Sequence, residues 1–410
     1  MARSGRLIEY FVAAGLAVAA FVISPVGIKL FTGRADLSFR VNVISLTCDL
    51  FLIAVIAAVL AQGRLRRAFF YAIAVTFPFA VIAGVEAVAL SIRLADRIAP
   101  LEDTSLLVHK DAWPAHLMSD ARSYTDADGL RLYRPWQGDG ITLNRLGLRT
   151  APPTPKAPGE WRIAVTGGSA AWGWRVLDAD TIPARLQVAL RRAGHANVTV
   201  YNFGIEGATL NAELGLLKRF RDAYAIDQVL FYTGGNDATY AYVSATSGRS
   251  GPWAADAVTF ELLKTAVRLQ AMASEPAPSV MQWLDDDVLP AVLKTDALRE
   301  NLLAADAYCR AAMLRCDFAL QPMLFRRKTI AGPEVAMART LGRVYPRLDV
   351  LTARLYRDAL ASGPAGHVHD LSRIFDQTSQ PFFLDLIHLN EAGNRAVAEH
   401  LAPIVAPGLR

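Results

Sequence analysis

The chain has 410 residues, of which 53% are hydrophobic, and its 43 Lys and Arg against 38 Asp and Glu give a formal net charge of +5. This length is more than one domain usually needs, and the apolar excess is concentrated in the first 94 residues, which excludes a uniformly soluble chain. The basic residues are spread along the sequence without a concentrated patch, so we expect no nucleic-acid partner.

Three apolar stretches occupy this first region, at residues 7–31, 41–62 and 69–94. Each has the roughly 20 residues that a helix needs to cross a bilayer. A cleaved signal peptide would have a single, shorter stretch. The pattern therefore predicts a membrane anchor over residues 1–95 with three transmembrane helices, and the lipid bilayer is an expected partner.

The basic residues beside these stretches predict their orientation. One side of the membrane receives Arg3, Arg6, Arg64, Arg66 and Arg67, and the other receives Lys29, Arg34 and Arg40. Cytoplasmic loops carry the excess of Lys and Arg, so we place the N-terminus in the cytoplasm. Three crossings then put everything after residue 95 outside the inner membrane, in the periplasm of a Gram-negative cell.

Two acidic residues, Asp49 and Glu86, lie within the predicted spans. Ionisable groups are costly in a bilayer and suggest a function. Helix association or snorkelling explains them structurally, and a transport path or a membrane partner protein are the functional alternatives.

Residues 96–160 form a transition segment without a clear period, ending in a stiff proline-rich spacer at 152–160. Short apolar strands and amphipathic helices then alternate over 161–410, which predicts an α/β domain with a parallel sheet covered on both faces. The predicted strands are 161–166, 197–202, 228–233, 317–322 and 367–372, and the predicted helices are 181–194, 211–223, 296–315 and 390–405. Residues 240–300 break this repeat and are interpreted as an insertion, either a lid over a substrate cleft or a surface helical insert.

Cys309 and Cys316 lie in the predicted outer domain, whereas Cys48 lies in a membrane span. On one continuous helix their Cα atoms would be about 10 Å apart, too far for a disulfide. We therefore expect a bridge only if the helix ends before Cys316.

Polar residues follow the strand ends, where ligands bind in open α/β sheets. Ser169 follows strand one, a loop with Gly207 follows strand two, and Asn236 follows strand three. Asp385 and His388 precede the last helix. This is the inventory of acyl transfer, in which a serine nucleophile needs a histidine base, a carboxylate to orient that base, and donors for the developing oxyanion.

Each of these signals is weak when taken alone, since a Gly-Gly-Ser turn or an isolated D-x-x-H pair is common. The G-x-G-x-x-G spacing of dinucleotide-binding folds is absent. The G-x-S-x-G elbow is also absent, because Ala171 replaces its last glycine. We expect no cofactor and no metal site, as the histidines lack zinc-ligand spacing and an acidic run at 285–287 fits a solvated helix start.

In these four blocks the chain resembles the SGNH hydrolases, or GDSL esterases, over roughly residues 160–407. The matching segments are GGSAAWG at 167–173, NFGIEGAT at 202–209, GGND at 234–237 and DLIHLNEAGNRAVAEHL at 385–401. The resemblance implies a three-layer α/β/α sandwich with a five-stranded parallel sheet. It implies Ser169, Asp385 and His388 as the triad, with an oxyanion hole made by the Ser169 and Gly207 amides and the Asn236 side chain. One departure is that Gly168 replaces the aspartate of the usual G-D-S.

The function expected from this resemblance and from the anchor is a membrane-anchored serine esterase acting on small acyl esters, such as acetyl groups, of an envelope or exported glycan. An O-acyltransferase using the same triad, or a non-catalytic glycan-binding or assembly protein, are the alternatives. Candidate substrate contacts are Trp172, Trp174, Gly235 and Asp237. For the two tryptophans, packing in the core is the competing explanation.

Overall fold

A computed structural model describes most of the chain and divides it into two compact units. The described residues are 2–32, 39–92, 94, 102–109, 123–126, 129–247, 261–262, 265–266, 269, 297–330, 332–345 and 347–408. Unit 1 consists of residues 1–100 and 250–273, and unit 2 consists of residues 101–249 and 274–410. Most of the predicted insertion at 240–300, including the acidic run, lies outside the described residues.

Unit 1 is built from apolar helices. They are α1 (Ala2–Ile23), α2 (Pro25–Thr32), α3 (Phe39–Leu60) and α4 (Gly63–Ser91). Two helices, α3 and α4, are long and apolar enough to cross a membrane, and the pair α1 and α2 makes a third span only if taken together. The predicted span at 7–31 is therefore not one straight helix.

The break between α1 and α2 is a bend of 68°. Pro25 causes it, since proline has no N–H to donate and its ring clashes with the preceding turn. The Ser24 hydroxyl donates to the Phe21 carbonyl at 2.7 Å and accepts from the Gly27 amide at 3.0 Å, which satisfies backbone groups at the break.

The two acidic residues of unit 1 differ in their surroundings. Glu86 is only 2% exposed, and its carboxylate accepts hydrogen bonds from the backbone amides of Glu261 and of Leu262, the latter at 2.9 Å. Hydrogen bonds from two backbone amides satisfy the buried carboxylate, so Glu86 has a structural explanation. Within the described residues, Asp49 Oδ1 is buried without a hydrogen-bond partner.

Unit 2 contains the predicted parallel sheet. Its strands are β5 (Trp161–Gly167), β6 (Val198–Gly204), β7 (Gln228–Thr233), β8 (Arg315–Leu320) and β9 (Val368–Asp370). All adjacent pairs are parallel, in the order β6-β5-β7-β8-β9. The predicted five-stranded α/β fold is confirmed, and its strand order is that of flavodoxin-like sheets.

Helices cover both faces of this sheet. They are α5 (Ser169–Trp172), α6 (Ile182–Arg192), α7 (Leu210–Tyr224), α8 (Gly235–Ser247), α9 (Ala297–Ala311), α10 (Pro333–Val344), α11 (Leu348–Ser362) and α12 (Glu391–Val405). The crossovers from β5 to β6 and from β6 to β7 run in opposite directions, so right-handed connections put α6 and α7 on opposite faces. Helix α12 packs beside α6, while α9 packs beside α7 and α11.

The helix predicted at 296–315 ends earlier, at Ala311, and β8 begins at Arg315. This end brings the Cα atoms of Cys309 and Cys316 to 6.1 Å, and the two residues form a disulfide. The predicted helix was too long at its C-terminal end, and the condition stated for a bridge is met, because the chain reverses at residues 312–314, where Met313 has a positive φ of 53°.

The described part of the predicted transition segment 96–160, residues 102–109, 123–126 and 129–160, belongs to unit 2. It contributes four strands of three residues each: β1 (Ser123–Thr125), β2 (Arg131–Tyr133), β3 (Trp136–Gly138) and β4 (Ile141–Leu143). Leu132 and Leu148 are buried in the main core. Arg162, buried at the start of β5, donates to the carbonyls of Thr154 and Pro155 and so attaches the proline-rich spacer to the sheet.

The centre of the core predicts a large effect on stability. Phe231 of β7 is fully buried and stacks on Phe318 of β8 with ring centroids 4.8 Å apart. We expect Phe231→Ala to lower the free energy of unfolding by about 3–5 kcal/mol, because it removes this contact and leaves a cavity. Denaturant unfolding of the full chain in mild detergent measures the change. Met313→Ala, at a side chain that is 93% exposed, is the control, and equal effects of the two substitutions would contradict the assigned core.

Candidate active site

The candidate site lies where the carboxyl ends of β5 and β7 meet. These two strands are neighbours, and the connections that follow them leave toward opposite faces of the sheet. Such a switch point leaves a crevice at the sheet edge. Ser169 begins α5 directly after β5, and Asn236 lies in the first turn of α8 directly after β7.

Three side chains form a continuous line of hydrogen bonds at this edge. Ser169 Oγ lies 2.7 Å from His388 Nε2, and His388 Nδ1 lies 2.6 Å from Asp385 Oδ2. An ionised carboxylate only accepts, so the imidazole proton belongs on Nδ1, and Nε2 is left to accept from the serine hydroxyl. The arrangement is that of a nucleophile, a base and the group that orients the base.

Hydrogen bonds within the loop of Asp385 and His388 fix the orientation of the Asp385 side chain. Asp385 Oδ1 accepts hydrogen bonds from the backbone amides of Ile387 and His388, both at 2.8 Å. Burial acts to raise the pKa of Asp385, but the charge of His388 and these hydrogen bonds outweigh it, so the pKa lies below its ordinary value. Asp385 is therefore ionised at neutral pH, as an orienting carboxylate must be.

Three candidate oxyanion donors lie in the segments that follow β5, β6 and β7. As the first residue of a helix, Ser169 has a backbone N–H without an acceptor in its own helix. The Asn236 carboxamide donates one N–H to the Ala208 carbonyl at 2.8 Å, which orients the group and leaves its second N–H available. Gly207 has a φ of +73°, a left-handed conformation that favours glycine and turns its peptide in the loop after β6.

The departure at Gly168 has a steric cause. A Cβ atom at this position would lie 2.2 Å from Asn236 Nδ2 and 3.3 Å from the Ala208 carbonyl oxygen. The glycine is therefore needed for the observed place of Asn236, and an aspartate at 168 would require Asn236 to move.

The two tryptophans among the candidate substrate contacts lie in different surroundings. Trp172 is 1% exposed and packs in the core against Tyr133, with ring centroids 5.3 Å apart. Trp174 stacks on the imidazole of His388, with centroids 5.4 Å apart and an interplanar angle of 29°. The buried position of Trp172 offers no face to a substrate, so our proposed site leaves it out.

The two candidates after β7 have contacts inside the domain. A Cβ at Gly235 would lie 2.1 Å from Gln321 Nε2, so no side chain fits there. Asp237 is buried, and both of its carboxylate oxygens lie 3.3 Å from the Leu210 amide at the start of α7. These contacts tie the ends of β7 and β8 and the start of α7 together.

Two acidic residues near the site, Glu206 and Glu102, were not among those that the sequence pattern singled out. Glu206 precedes Gly207 and lies 3.6 Å from Arg131 of β2. Burial raises its pKa, against the opposing effects of the Tyr133 hydroxyl and the charges of Arg131 and His388. The sequence offered one clue to Glu206, which is its position next to Gly207. It offered no clue to Glu102, which bonds to Trp174 but lies 67 positions before Ser169.

Two histidines elsewhere in unit 2 share one carboxylate partner. His367 Nδ1 and His369 Nε2 both face Asp317 Oδ1, at 3.3 and 3.1 Å. Among the described residues no group of three or more His, Cys, Asp and Glu is arranged to hold a metal ion.

No family model and no curated protein matches this chain. Among solved structures it is similar to TesA, at 18% identity and a TM-score of 0.35, with 60% of this chain and 99% of that chain covered. It is similar to the psychrotrophic esterase EstA from Pseudoalteromonas sp., at 13% identity and a TM-score of 0.35, covering 60% and 98%. It is also similar to a lipase/acylhydrolase from Enterococcus faecalis, at 17% identity and a TM-score of 0.35, covering 61% and 97%. Because these identities and TM-scores are low, we infer the fold from the strand order and describe the site from the interatomic distances above.

Buried carboxyls beside the site predict a pH dependence of stability. Burial raises the pKa of Asp237 to about 6, and the buried Glu213 beside it has its pKa raised well above the ordinary value. The unfolded chain ionises Asp near pH 3.9. Between about pH 4 and 6 these two carboxyls hold more protons in the folded state than in the unfolded chain, so their contribution to the free energy of unfolding falls as the pH rises through this window. We expect Asp237→Asn to flatten that decline, measured by denaturant unfolding of the full chain at a series of pH values. An unchanged slope would contradict the assignment.

Proposed function

We propose that this protein is a membrane-anchored serine esterase that hydrolyses small acyl esters, such as acetyl esters, on an envelope or exported glycan. The observation that carries the reaction class is the line of hydrogen bonds from Ser169 through His388 to Asp385. These residues have the types, order of contact and distances that an activated serine requires.

In the first half of the reaction, Ser169 Oγ attacks the ester carbonyl carbon while its proton passes to His388 Nε2. The new imidazolium is stabilised by Asp385, to which its Nδ1 already donates. His388 then gives the proton to the leaving alcohol, which departs as the acyl–serine ester forms. In the second half, water attacks that ester with His388 again as base, which releases the carboxylic acid and restores the serine.

The tetrahedral intermediates carry a negative charge on the former carbonyl oxygen. The Ser169 amide, the Gly207 amide and the second N–H of Asn236 are the donors that we assign to it. Donors held in place before the reaction stabilise this charge without reorganisation. The hydrogen bond from Asn236 to Ala208 supports this role because it holds the carboxamide in one orientation.

Three observations support an action outside the cytoplasm. Helices α3 and α4 are long and apolar enough to span a membrane. The excess of arginine at the N-terminus and after α3 favours a cytoplasmic N-terminus. Disulfides persist mainly in oxidising compartments, and unit 2 contains the Cys309–Cys316 disulfide. Esters that such an enzyme meets are those of the envelope or of exported polymers.

The triad predicts the outcome of three substitutions. We expect Ser169→Ala, His388→Ala and Asp385→Asn each to lower kcat/KM for p-nitrophenyl acetate by at least about 10³-fold, because each removes a member of one proton-transfer unit. The assay uses the full chain in mild detergent, with esters of increasing acyl length to define the acyl pocket. Analysis of the products with a glycan acceptor present separates hydrolysis from acyl transfer.

Two matched controls are available within unit 2. His369 also pairs with a carboxylate, Asp317, but away from the serine, and Ser372 is also buried. We expect His369→Ala and Ser372→Ala to keep kcat/KM within about twofold of wild type in the folded protein. Full activity in folded Ser169→Ala would exclude this mechanism, and folded wild type without activity on any ester would favour the glycan-binding alternative.

The oxyanion assignment makes a separate prediction. We expect Asn236→Ala to lower kcat by about 10²–10³-fold with little change in KM, since the lost hydrogen bond strengthens only in the transition state. Steady-state kinetics on the same esters measure both constants. Asn394, a buried carboxamide that donates to the Asp180 carbonyl, is the control. An unchanged kcat in folded Asn236→Ala would remove Asn236 from the oxyanion hole.

A further inference from the structure

The chain that follows the membrane helices is bonded to the catalytic loop. Residues 102–109, hereafter the 102–109 segment, begin after the last residue of α4, Ser91. The Asp103 amide donates to the Leu384 carbonyl at 2.6 Å, immediately before Asp385. The amides of Val108 and His109 donate to Glu391 Oε1 at 2.9 and 3.1 Å, just after the loop.

The same segment is bonded to the turn on the serine side. Glu102 Oε1 accepts from Trp174 Nε1 at 2.9 Å, and the Glu102 carboxylate accepts two hydrogen bonds from Arg175, both at 2.9 Å. Leu107 packs with Val176 and Leu384, one from each side. The 102–109 segment therefore joins the loop of the base to the turn that follows the nucleophile.

Trp174 links the 102–109 segment to His388. Its indole lies against the imidazole of His388, while its N–H is held by Glu102. Covering one face of the ring restricts rotation of the imidazole and keeps Nε2 directed at Ser169. The indole face also attracts the positive charge that His388 acquires when it takes the serine proton.

The backbone at Arg175 is a second, independent observation. Arg175 has a φ of +64°, a conformation that costs energy for a residue with a side chain and persists only where its surroundings hold it. Here the bidentate contact with Glu102 holds it, and the guanidinium lies 5.4 Å from the centroid of the Trp174 ring. Strain of this kind concentrates at functional sites.

We propose that Glu102 is a positioning residue of the triad, which acts through Trp174 to keep His388 in line with Ser169. The proposal rests on the proposed function, and it assigns Trp174 to the orientation of the base instead of to a substrate contact. It also makes the segment that follows the membrane helices a part of the active site.

A double-mutant cycle in the full chain tests the proposal. Glu102→Ala and Trp174→Phe each remove the same hydrogen bond, and Trp174→Phe keeps a ring over the imidazole. We expect each to lower kcat by about 10-fold with KM unchanged, because small displacements of a catalytic group are costly. The double variant should lose no more than the larger single loss, since both act on one interaction. Glu102→Gln, which keeps an acceptor for the indole N–H, should recover most of the loss.

The control is Glu160→Ala, which removes a carboxylate that binds an arginine, Arg162, at the opposite end of β5. We expect it to leave kcat within about twofold of wild type in the folded protein. Additive losses in the double variant, a raised KM with kcat preserved, or activity equal to wild type in Glu102→Ala would each overturn the proposal.

A readout without substrate separates this proposal from the proposed function. The proton between His388 Nδ1 and Asp385 should give a strongly deshielded NMR resonance that His388→Ala abolishes. We expect Glu102→Ala and Trp174→Phe to broaden or shift it, and Glu160→Ala to leave it in place. A wild type with this response but no ester hydrolysis would refute the esterase and keep the positioning role. If Glu102→Ala leaves the resonance unchanged, the positioning role is refuted.

Discussion

The hydrogen bond between Ser169 and His388 joins side chains that are 219 positions apart in the sequence. Neither residue is reactive without the other, because a serine hydroxyl is a weak nucleophile and needs a base in contact with it. Ser169 lies at the carboxyl end of β5, and the loop before α12, a helix that packs beside α6, brings His388 to the same edge of the sheet. Much of unit 2 outside the sheet, from the Asp385 loop to the contacts of Asp237, holds the parts of this edge in place.

The parts of the fold that the sequence predicted are those with a strong local pattern. Strands β5 to β8 are short runs of mostly buried and mostly apolar residues, and the four blocks lie at defined points beside the predicted strands and the last helix. The segments that contain Ser169, Asp385 and His388 could be singled out in the sequence because each lies at an element boundary in a recognisable spacing. Distances between the blocks could not be predicted, since they depend on strand order and crossover handedness.

Other features lacked such a pattern. Strands β1 to β4 have three residues each, too few for an alternation to show. The disulfide depended on where α9 ends, and no proline or glycine marks that point in the sequence between Cys309 and Cys316. Pro25 lies within the long apolar stretch at 7–31, and that stretch was interpreted as one continuous span in spite of the proline. Glu102 could not be found because its role comes from a contact with Trp174, 72 positions away.

The 102–109 segment also determines how much of this chain must move together in a recombination event for the candidate site to remain intact. Composition places a boundary at the proline-rich spacer, residues 152–160, but Leu132 and Leu148 on its N-terminal side belong to the core of unit 2. Glu102, farther upstream, belongs to the surroundings of the base. A recombination event that moved this domain behind a different N-terminal region would keep the candidate site whole only if its crossover fell in the short interval between Ser91 and Glu102. Fusions made at the spacer would carry all four motif blocks and still lack part of the candidate active site.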